Sequence, residues 1–176
     1  MAATRNRRKA FTLLELIIVL LLFAMLEAIL LPVFGRARAK AYNAQCSGNL
    51  QNIGAALRIY AADYNGLFPP ARPGLPALVQ LQIVPDATLH CPVTVRWQLK
   101  RTRYLYRPGL SDDGRPMELV CADPYRDVHN DGFFALWTDG HVKWVNYRQV
   151  EQRPEQFGPG AKELLEQMRT VEEARR

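Results

Sequence analysis

The sequence has few of the residues and motifs that mark enzyme active sites. It contains three histidines and three cysteines in 176 residues. The sequence shows no motif that pairs a serine or cysteine nucleophile with a histidine, and no glycine-rich phosphate-binding loop. It also shows no pair of carboxylates within a recognisable catalytic motif. These absences predict a protein that is not an enzyme and that needs no cofactor.

A general excess of positive charge is also missing, although the formal net charge is +6. Four basic side chains lie within the first ten residues, namely Arg5, Arg7, Arg8 and Lys9. The other 166 residues carry 19 basic against 17 acidic side chains. A basic cluster beside an apolar segment orients a membrane helix, whereas a nucleic-acid-binding domain has a basic patch or stripe on one face. The sequence therefore predicts a membrane protein and argues against a nucleic-acid partner.

A long apolar segment of 24 residues follows the basic cluster, from Phe11 to Phe34. It is interrupted by Thr12, Glu15, Glu27 and Pro32. As a helix it would be about 36 Å long, enough to cross a hydrocarbon core of about 30 Å. A secretory signal peptide would have a shorter apolar core and small residues around its cleavage point. We therefore expect one transmembrane helix, with the basic cluster in the cytoplasm and the rest of the chain outside it.

Glu15 is an unusual residue in such a segment, because a carboxylate at the bilayer centre costs about 2.5–3.5 kcal/mol and less towards the interface. One explanation is that Glu15 lies among the lipid headgroups beside Arg8 and Lys9. The other explanation is that a positive charge from another molecule neutralises it.

The stretch RRKAFTLLELIIVL, from Arg7 to Leu20, resembles the leader of type IV prepilins and of the related pseudopilins of type II secretion. In that family a prepilin peptidase cuts before the phenylalanine and methylates the new amino terminus. The resemblance places the cut between Ala10 and Phe11, with Ala10 standing where the family usually has glycine. Because alanine is the next smallest residue, we expect slower processing rather than none.

The same resemblance implies roles for Glu15 and Pro32. Glu15 becomes the fifth mature residue, and in this family that carboxylate pairs with the amino terminus of a neighbouring subunit during filament assembly. Pro32 matches a proline at which pilin helices bend, as expected for a residue that removes one backbone donor. The implied partners are further copies and other pilins in a filament, and an assembly platform protein of the inner membrane.

The helix is expected to continue beyond the membrane, because apolar residues recur every three or four positions on one face. These residues are Tyr42, Cys46, Leu50, Ile53, Leu57, Tyr60 and Tyr64. We expect this face to pack on the domain that follows. Gly66 and the Pro69-Pro70 pair are expected to end the helix.

Four short stretches rich in aromatic and β-branched residues predict strands. They are Tyr104–Arg107, Met117–Cys121, Phe133–Trp137 and His141–Val145. Asp112-Asp113-Gly114 and Thr138-Asp139-Gly140 are typical of turns between such strands. A long helix packed on a small antiparallel sheet is an α+β fold of the pilin type.

The predicted division of the chain has five parts. Residues 67–102 are rich in proline and predict loop with a short helix around Leu75–Gln82, and AKELLEQMRTVEEARR at the carboxyl end predicts a weak amphipathic helix. The parts are a leader at 1–10, a transmembrane segment at 11–34, the amphipathic continuation of the helix at 35–66, a sheet domain at 67–150, and a linker with the C-terminal helix at 151–176.

A second motif lies in the region of the last two predicted strands. His129 is followed, after nine residues, by Asp139-Gly140. This spacing resembles the H-x9-DG signature of many bacterial prepilin-like proteins, and the stretch Cys46–Pro70 resembles the end of the helix in that group.

The same region contains residue types that bind metals: His129, Asp131, Asp139 and His141. Calcium at Asp131 and Asp139 is one alternative, because calcium occurs in related major pseudopilins. The oxygen donors are few, however, and their spacing matches no calcium-binding loop. We expect instead that His129 bonds backbone carbonyls at a strand start and that Asp139 shapes a hairpin turn.

The cysteines give evidence about the compartment. Cys91 and Cys121 are 30 residues apart, and we expect a disulfide bridge between them outside the cytoplasm. Closing such a loop would stabilise the domain by about 3–4 kcal/mol. Cys46 lies on the apolar helix face and is expected to be a buried thiol. Because the count is odd, Cys46 could instead pair with either of the others.

Two classes of function follow from these features. The first is a structural subunit, a pilin or pseudopilin. The alternative is a minor pilin-like binding module, anchored in the membrane, that recognises a ligand at a filament tip or acts in DNA uptake. In both cases we expect a single pass through the bacterial inner membrane, followed by a filament in the periplasm or at the cell surface. The sequence leaves open whether that filament is a pilus, a secretion pseudopilus or a competence filament.

Overall fold

The computed structural model describes residues 12–96, 103–113, 117–126, 129 and 131–174. The chain divides into two units, Met1–Ala41 and Tyr42–Arg176. Helix α1 extends from Leu13 to Asp63 and continues through Pro32. In the first unit every residue from 12 to 41 is exposed, and by length and composition this helix can span a membrane. A bend at Pro32 stays a prediction.

The part of α1 in the second unit buries most of the predicted apolar face, although Tyr42 is only half-buried and Tyr64, which follows the end of the helix, is exposed. Cys46, Leu50, Ile53, Leu57 and Tyr60 are all buried there. The helix ends as its sequence predicts, because Gly66 adopts a φ of +79° and its N–H donates to the carbonyl of Ala61 at 2.8 Å. Glycine is suited to this left-handed conformation at a helix end.

The second unit contains a four-stranded antiparallel sheet in the order β1-β2-β3-β4. The strands are β1 Leu105–Tyr106, β2 Leu119–Ala122, β3 Gly132–Trp137 and β4 Val142–Asn146. Each predicted strand therefore forms, with its ends moved by at most two residues, which confirms the α+β fold. The predicted turn at residue 140 connects β3 to β4, whereas Gly114 of the other predicted turn lies outside the described residues.

Both faces of the sheet are covered by helices. Alternate residues of β3 point to opposite faces, as in any strand. Phe134 and Leu136 belong to the apolar cluster that contains α1, whereas Phe133, Ala135 and Trp137 belong to the cluster on the other side. The sheet is thus the middle layer of three, and the sequence predicted only the layer formed by α1.

The third layer is formed by the carboxyl-terminal segment. It contains α4 Tyr147–Gln152, a 3-10 helix at Pro154–Phe157 and α5 Ala161–Glu173. Leu164, Leu165 and Met168 of α5 are buried against the sheet. Helix α5 therefore docks fully, although its sequence predicted only a weak amphipathic helix.

The proline-rich region is more regular than predicted. Helix α2 at Pro76–Gln80 confirms the short helix expected there. A 3-10 helix at Asp86–Leu89 and helix α3 at Pro92–Arg96 were not predicted. Proline at the first position of α2 and of α3 explains why these helices start there, because proline has no N–H to leave unpaired.

Docking of α5 can be tested at Leu164, which is 1% exposed. We expect Leu164→Ala to lower the free energy of unfolding of the second unit by about 2–5 kcal/mol, because it leaves a cavity between α5 and the sheet. Denaturant unfolding of the full chain in detergent, followed by tryptophan fluorescence, measures this change. The control is Lys162→Ala at an exposed position of the same helix, with an expected change within about 0.5 kcal/mol. Equal effects of the two substitutions would contradict the docking of α5.

Candidate functional site

The first candidate site is the start of α1, where Thr12 and Glu15 cap the helix. The backbone N–H of Glu15 donates to Thr12 Oγ1 at 3.2 Å. In return, Glu15 Oε2 accepts from the backbone N–H of Thr12 at 3.4 Å and from its hydroxyl at 3.3 Å. This reciprocal pair is a capping box, which satisfies backbone donors that a helix start leaves unpaired.

The capping box gives Glu15 a local role that the sequence interpretation missed. The T-x-x-E pattern of Thr12 to Glu15 is the usual signature of such a box and was visible in the sequence. A carboxylate here also lies at the positive end of the helix dipole. The predicted processing residues Ala10 and Phe11 lie outside the described residues.

The second candidate site is a buried cluster of four polar side chains in the second unit. Cys46 comes from α1, Cys91 directly precedes α3, Asp123 directly follows β2 and His129 precedes β3. Cys46, Cys91 and Asp123 are 0% exposed and His129 is 3% exposed. One potential ligand atom from each residue lies within 4.8 Å of all the others.

The cluster is linked by a chain of short contacts. The sulfurs of Cys46 and Cys91 are 2.8 Å apart. The Cys91 sulfur lies 3.8 Å from His129 Nε2, and the same nitrogen lies 3.2 Å from Asp123 Oδ2. Such an arrangement offers two sulfurs, one ring nitrogen and one carboxylate to the same small volume.

The surroundings hold His129 in place on its other side. His129 Nδ1 lies 2.7 Å from Asn43 Oδ1, an acceptor, so this ring nitrogen carries the proton and donates. The carbonyl of His129 accepts from the indole N–H of Trp144 at 3.0 Å. These contacts direct Nε2 towards the cysteines and Asp123.

The carboxylate of Asp123, unlike the ring of His129, has a hydrogen-bond partner within the described part of the chain at only one of its two polar atoms. Its Oδ2 accepts from the backbone N–H of Phe134 at 2.7 Å and contacts His129. Its Oδ1 is buried and has no hydrogen-bond partner among the described residues. An unsatisfied buried carboxylate oxygen is costly, and in a native fold it calls for an explanation.

The local environment changes the pKa values of the cluster. Burial by itself would lower the pKa of His129, but the hydrogen bonds with Asp123 and Cys91 outweigh it and raise that pKa to about 9. The pKa of the Cys91 thiol is raised far above its usual range by the contact with Cys46 and by burial. When no metal ion is bound, these pKa shifts favour a protonated imidazole of His129 beside a neutral thiol of Cys91.

The cysteine contacts differ from the predicted disulfide. All three cysteines are free, buried thiols, and the sulfur beside Cys91 is that of Cys46 rather than Cys121. Cys46 and Cys91 are one of the alternative pairs that the odd cysteine count left open, and a disulfide in this protein stays a prediction. Sequence spacing gave no sign of the Cys46–Cys91 contact, because the approach of Cys91 to α1 depends on how the proline-rich region folds.

The other predicted metal-binding residues are arranged differently. Asp139 Oδ1 accepts from the backbone N–H of His141 at 3.1 Å and lies 2.6 Å from its Nδ1, so Asp139 shapes the β3–β4 turn as expected. Neither Asp131 nor Asp139 belongs to the four-residue cluster found among the described residues. Among the described residues, the ring nitrogens of His129 contact side chains rather than the backbone carbonyls that we expected, because the ring faces α1.

Comparison with known proteins supports the reading of the amino-terminal segment. Residues 5–31 match the family model of the prokaryotic N-terminal methylation motif. This match confirms the resemblance to prepilin leaders and supports a precursor of the pilin or pseudopilin type. No curated protein and no solved structure matches the chain. The resemblance of the His129 to Gly140 region to the H-x9-DG signature stays a prediction.

The position of the His129 segment depends on close packing at Gly132. A Cβ atom added at Gly132 would lie less than a normal contact distance from the Trp144 ring. We expect Gly132→Ala to displace Trp144 and to lower the free energy of unfolding by about 1–3 kcal/mol. The control is Gly48→Ala, where an added Cβ meets nothing within 4 Å, and where we expect a gain of up to about 1 kcal/mol from helix propensity. Denaturant unfolding compares the two variants, and an unchanged Gly132→Ala protein would refute this packing argument.

Proposed function

We propose that the chain is a structural subunit, a pilin or pseudopilin, of a type IV pilus-like or type II secretion filament. The observation that carries this proposal is the N-terminal methylation motif at residues 5–31. Two further features support it: an apolar helix that is exposed from residue 12 to residue 41, and a pilin-like α+β domain after it. The exposed helix offers a surface through which copies can pack in lipid and then in a filament.

Processing would convert the chain into its assembly-competent form. Prepilin peptidase cuts between Ala10 and Phe11, which removes Arg5, Arg7, Arg8 and Lys9 in one step. The new amino terminus at Phe11 is then methylated. Before the cut, the basic leader holds the amino end in the cytoplasm, and the second unit lies outside it. After the cut, an inner-membrane platform protein moves the subunit into the filament.

The role of Glu15 in assembly rests on charge compensation. An isolated carboxylate in lipid is costly, and an ammonium group is among the few partners able to neutralise it. In the filament that group is the amino terminus of the neighbouring subunit. The capping box within one chain is compatible with this role, because it fixes the start of the helix and the position of the carboxylate.

The processing step predicts a definite mature amino terminus. We expect intact-mass and peptide mass spectrometry of the membrane-purified protein to show Phe11 as the first residue, carrying a methyl group. Ala10→Gly should increase the processed fraction, because glycine is the residue that the peptidase usually meets. Ala10→Leu should decrease it, because a larger side chain crowds the cleavage point. A mature protein that still begins at Met1 would contradict the proposed processing.

The assembly role of Glu15 can be separated from its capping role. Glutamine also serves in a capping box, so Glu15→Gln keeps the cap and removes the charge. Thr12→Ala removes the capping hydroxyl and keeps the charge. We expect Glu15→Gln to abolish incorporation into sheared filaments and Thr12→Ala to retain it. Immunoblotting of filament and membrane fractions gives the measurement.

Glu27→Gln is the matched control for Glu15→Gln, since it removes another carboxylate from the exposed part of the same helix. We expect Glu27→Gln to leave incorporation unchanged. The opposite pattern, in which Thr12→Ala blocks assembly and Glu15→Gln does not, would assign Glu15 to helix capping alone. It would thereby remove the charge-pairing mechanism.

A further inference from the structure

The buried cluster in the second unit has the composition of a metal site. We propose that Cys46, Cys91, Asp123 and His129 bind a structural zinc ion. This inference does not rest on the proposed filament role, because all four residues lie in the second unit, which does not include the apolar first part of α1.

Two of the contacts within the cluster have lengths that suit a tetrahedral ion. With zinc–sulfur bonds of about 2.3 Å and zinc–nitrogen or zinc–oxygen bonds of about 2.0–2.2 Å, tetrahedral ligand atoms lie roughly 3.2–3.8 Å apart. The Cys91–His129 contact of 3.8 Å and the His129–Asp123 contact of 3.2 Å fall in this range. The two sulfurs, now 2.8 Å apart, would separate by about 1 Å to hold the ion.

The orientation of His129 matches that of a metal ligand. A zinc-bound histidine usually donates its other ring N–H to a carbonyl or carboxylate oxygen, which fixes the tautomer. Here Nδ1 donates to the amide oxygen of Asn43, so Nε2 is the ring nitrogen that faces the cysteines and Asp123, and it would lose its proton on binding the ion. Asn43 is thus a positioning residue for the site.

Asp123 gives the second, independent observation. It is 0% exposed, and its Oδ1 has no hydrogen-bond partner among the described residues. A cation at the cluster would compensate this carboxylate. A Cys46–Cys91 disulfide, the competing explanation, would account for the two sulfurs but not for a buried histidine and carboxylate beside them.

The ligand types favour zinc over the calcium considered from the sequence. Thiolates and imidazole are preferred by zinc, whereas calcium takes six to eight oxygen ligands. The four residues come from α1, from the position directly before α3 and from the one segment that connects β2 to β3. One ion would therefore join three parts of the second unit that are far apart in sequence.

The test uses the full chain, purified from membranes in detergent without chelator. We expect elemental mass spectrometry to find about one zinc ion per chain. We also expect all three cysteines to be alkylated after denaturation without reductant. A peptide linking Cys46 to Cys91 by a disulfide, in protein free of zinc, would overturn the proposal.

Ligand variants give the second measurement. Cys91→Ser and Asp123→Asn should lose zinc, whereas Cys121→Ser should keep it, since Cys121 is equally buried and lies outside the cluster. Asn43→Leu should weaken zinc binding by about 10–100-fold. Equal zinc content in Asp123→Asn, Cys91→Ser and Cys121→Ser would show that the metal binds elsewhere and would refute the assignment.

Wild-type protein supplies a readout that does not depend on whether the variants fold. Removal of zinc by a chelator should lower the melting temperature, and added Zn²⁺ should restore it while Ca²⁺ should not. Replacement by Co²⁺ should give the absorption bands of a thiolate-bound tetrahedral ion. A melting temperature that is insensitive to both chelator and Zn²⁺ would contradict a structural ion.

Discussion

One continuous helix, α1, has an exposed apolar part and a part with a buried face, and the arrangement of the other elements depends on this difference. From residue 12 to residue 41 its side chains are exposed in the isolated chain, and most are apolar, a composition suited to contact with lipid or with other subunits. From Cys46 to Ala61 one face of the same helix is buried in the core. A helix supports both situations because its backbone hydrogen bonds are internal and need no partner from either environment.

Glu15, at the amino end of this helix, has a capping role within the chain and a proposed pairing role between chains. Within the chain, Glu15 closes a capping box with Thr12, which supplies partners for backbone donors that a helix start otherwise leaves unpaired. Between chains, the same carboxylate is suited to a neighbouring amine. Capping and pairing are compatible because a carboxylate accepts several hydrogen bonds at once. Together with the proposed pairing, the capping role would explain why a costly residue is placed so close to the predicted cleavage point.

The second unit places a small sheet between two helical layers. The strands are two to six residues long, and the apolar faces of the sheet must be buried against other elements. Covering it with α1 on one face and α5 on the other buries alternate residues of β3 in two separate apolar clusters. The buried polar cluster lies where α1, the segment before α3 and the ends of β2 and β3 meet. A cross-link there, by an ion or by sulfur, would join segments that are far apart in sequence.

The sequence by itself determined the features that depend on local pattern. These are the basic leader, the apolar helix, the helix end at Gly66, the four strands and the turn at Gly140. Each is encoded by residues close together in the chain, through periodicity, charge or turn chemistry. The T-x-x-E capping box belongs to the same class, although its meaning became clear only from the contacts of Thr12.

Only the tertiary structure decided which distant residues meet. His129 and the three cysteines were visible as candidates, yet their spacing pointed to Asp139 and to a Cys91–Cys121 bridge. Asp123 had no distinguishing neighbour in sequence. The run FFALW of β3 was compatible with burial on both faces of the sheet. The sequence did not show which element covers the second face, because the docking of α5 depends on how the segment after β4 turns back. Contacts between residues 45 or 86 positions apart, as for Cys46 with Cys91 and Asn43 with His129, arise from packing and leave no periodic trace in the sequence.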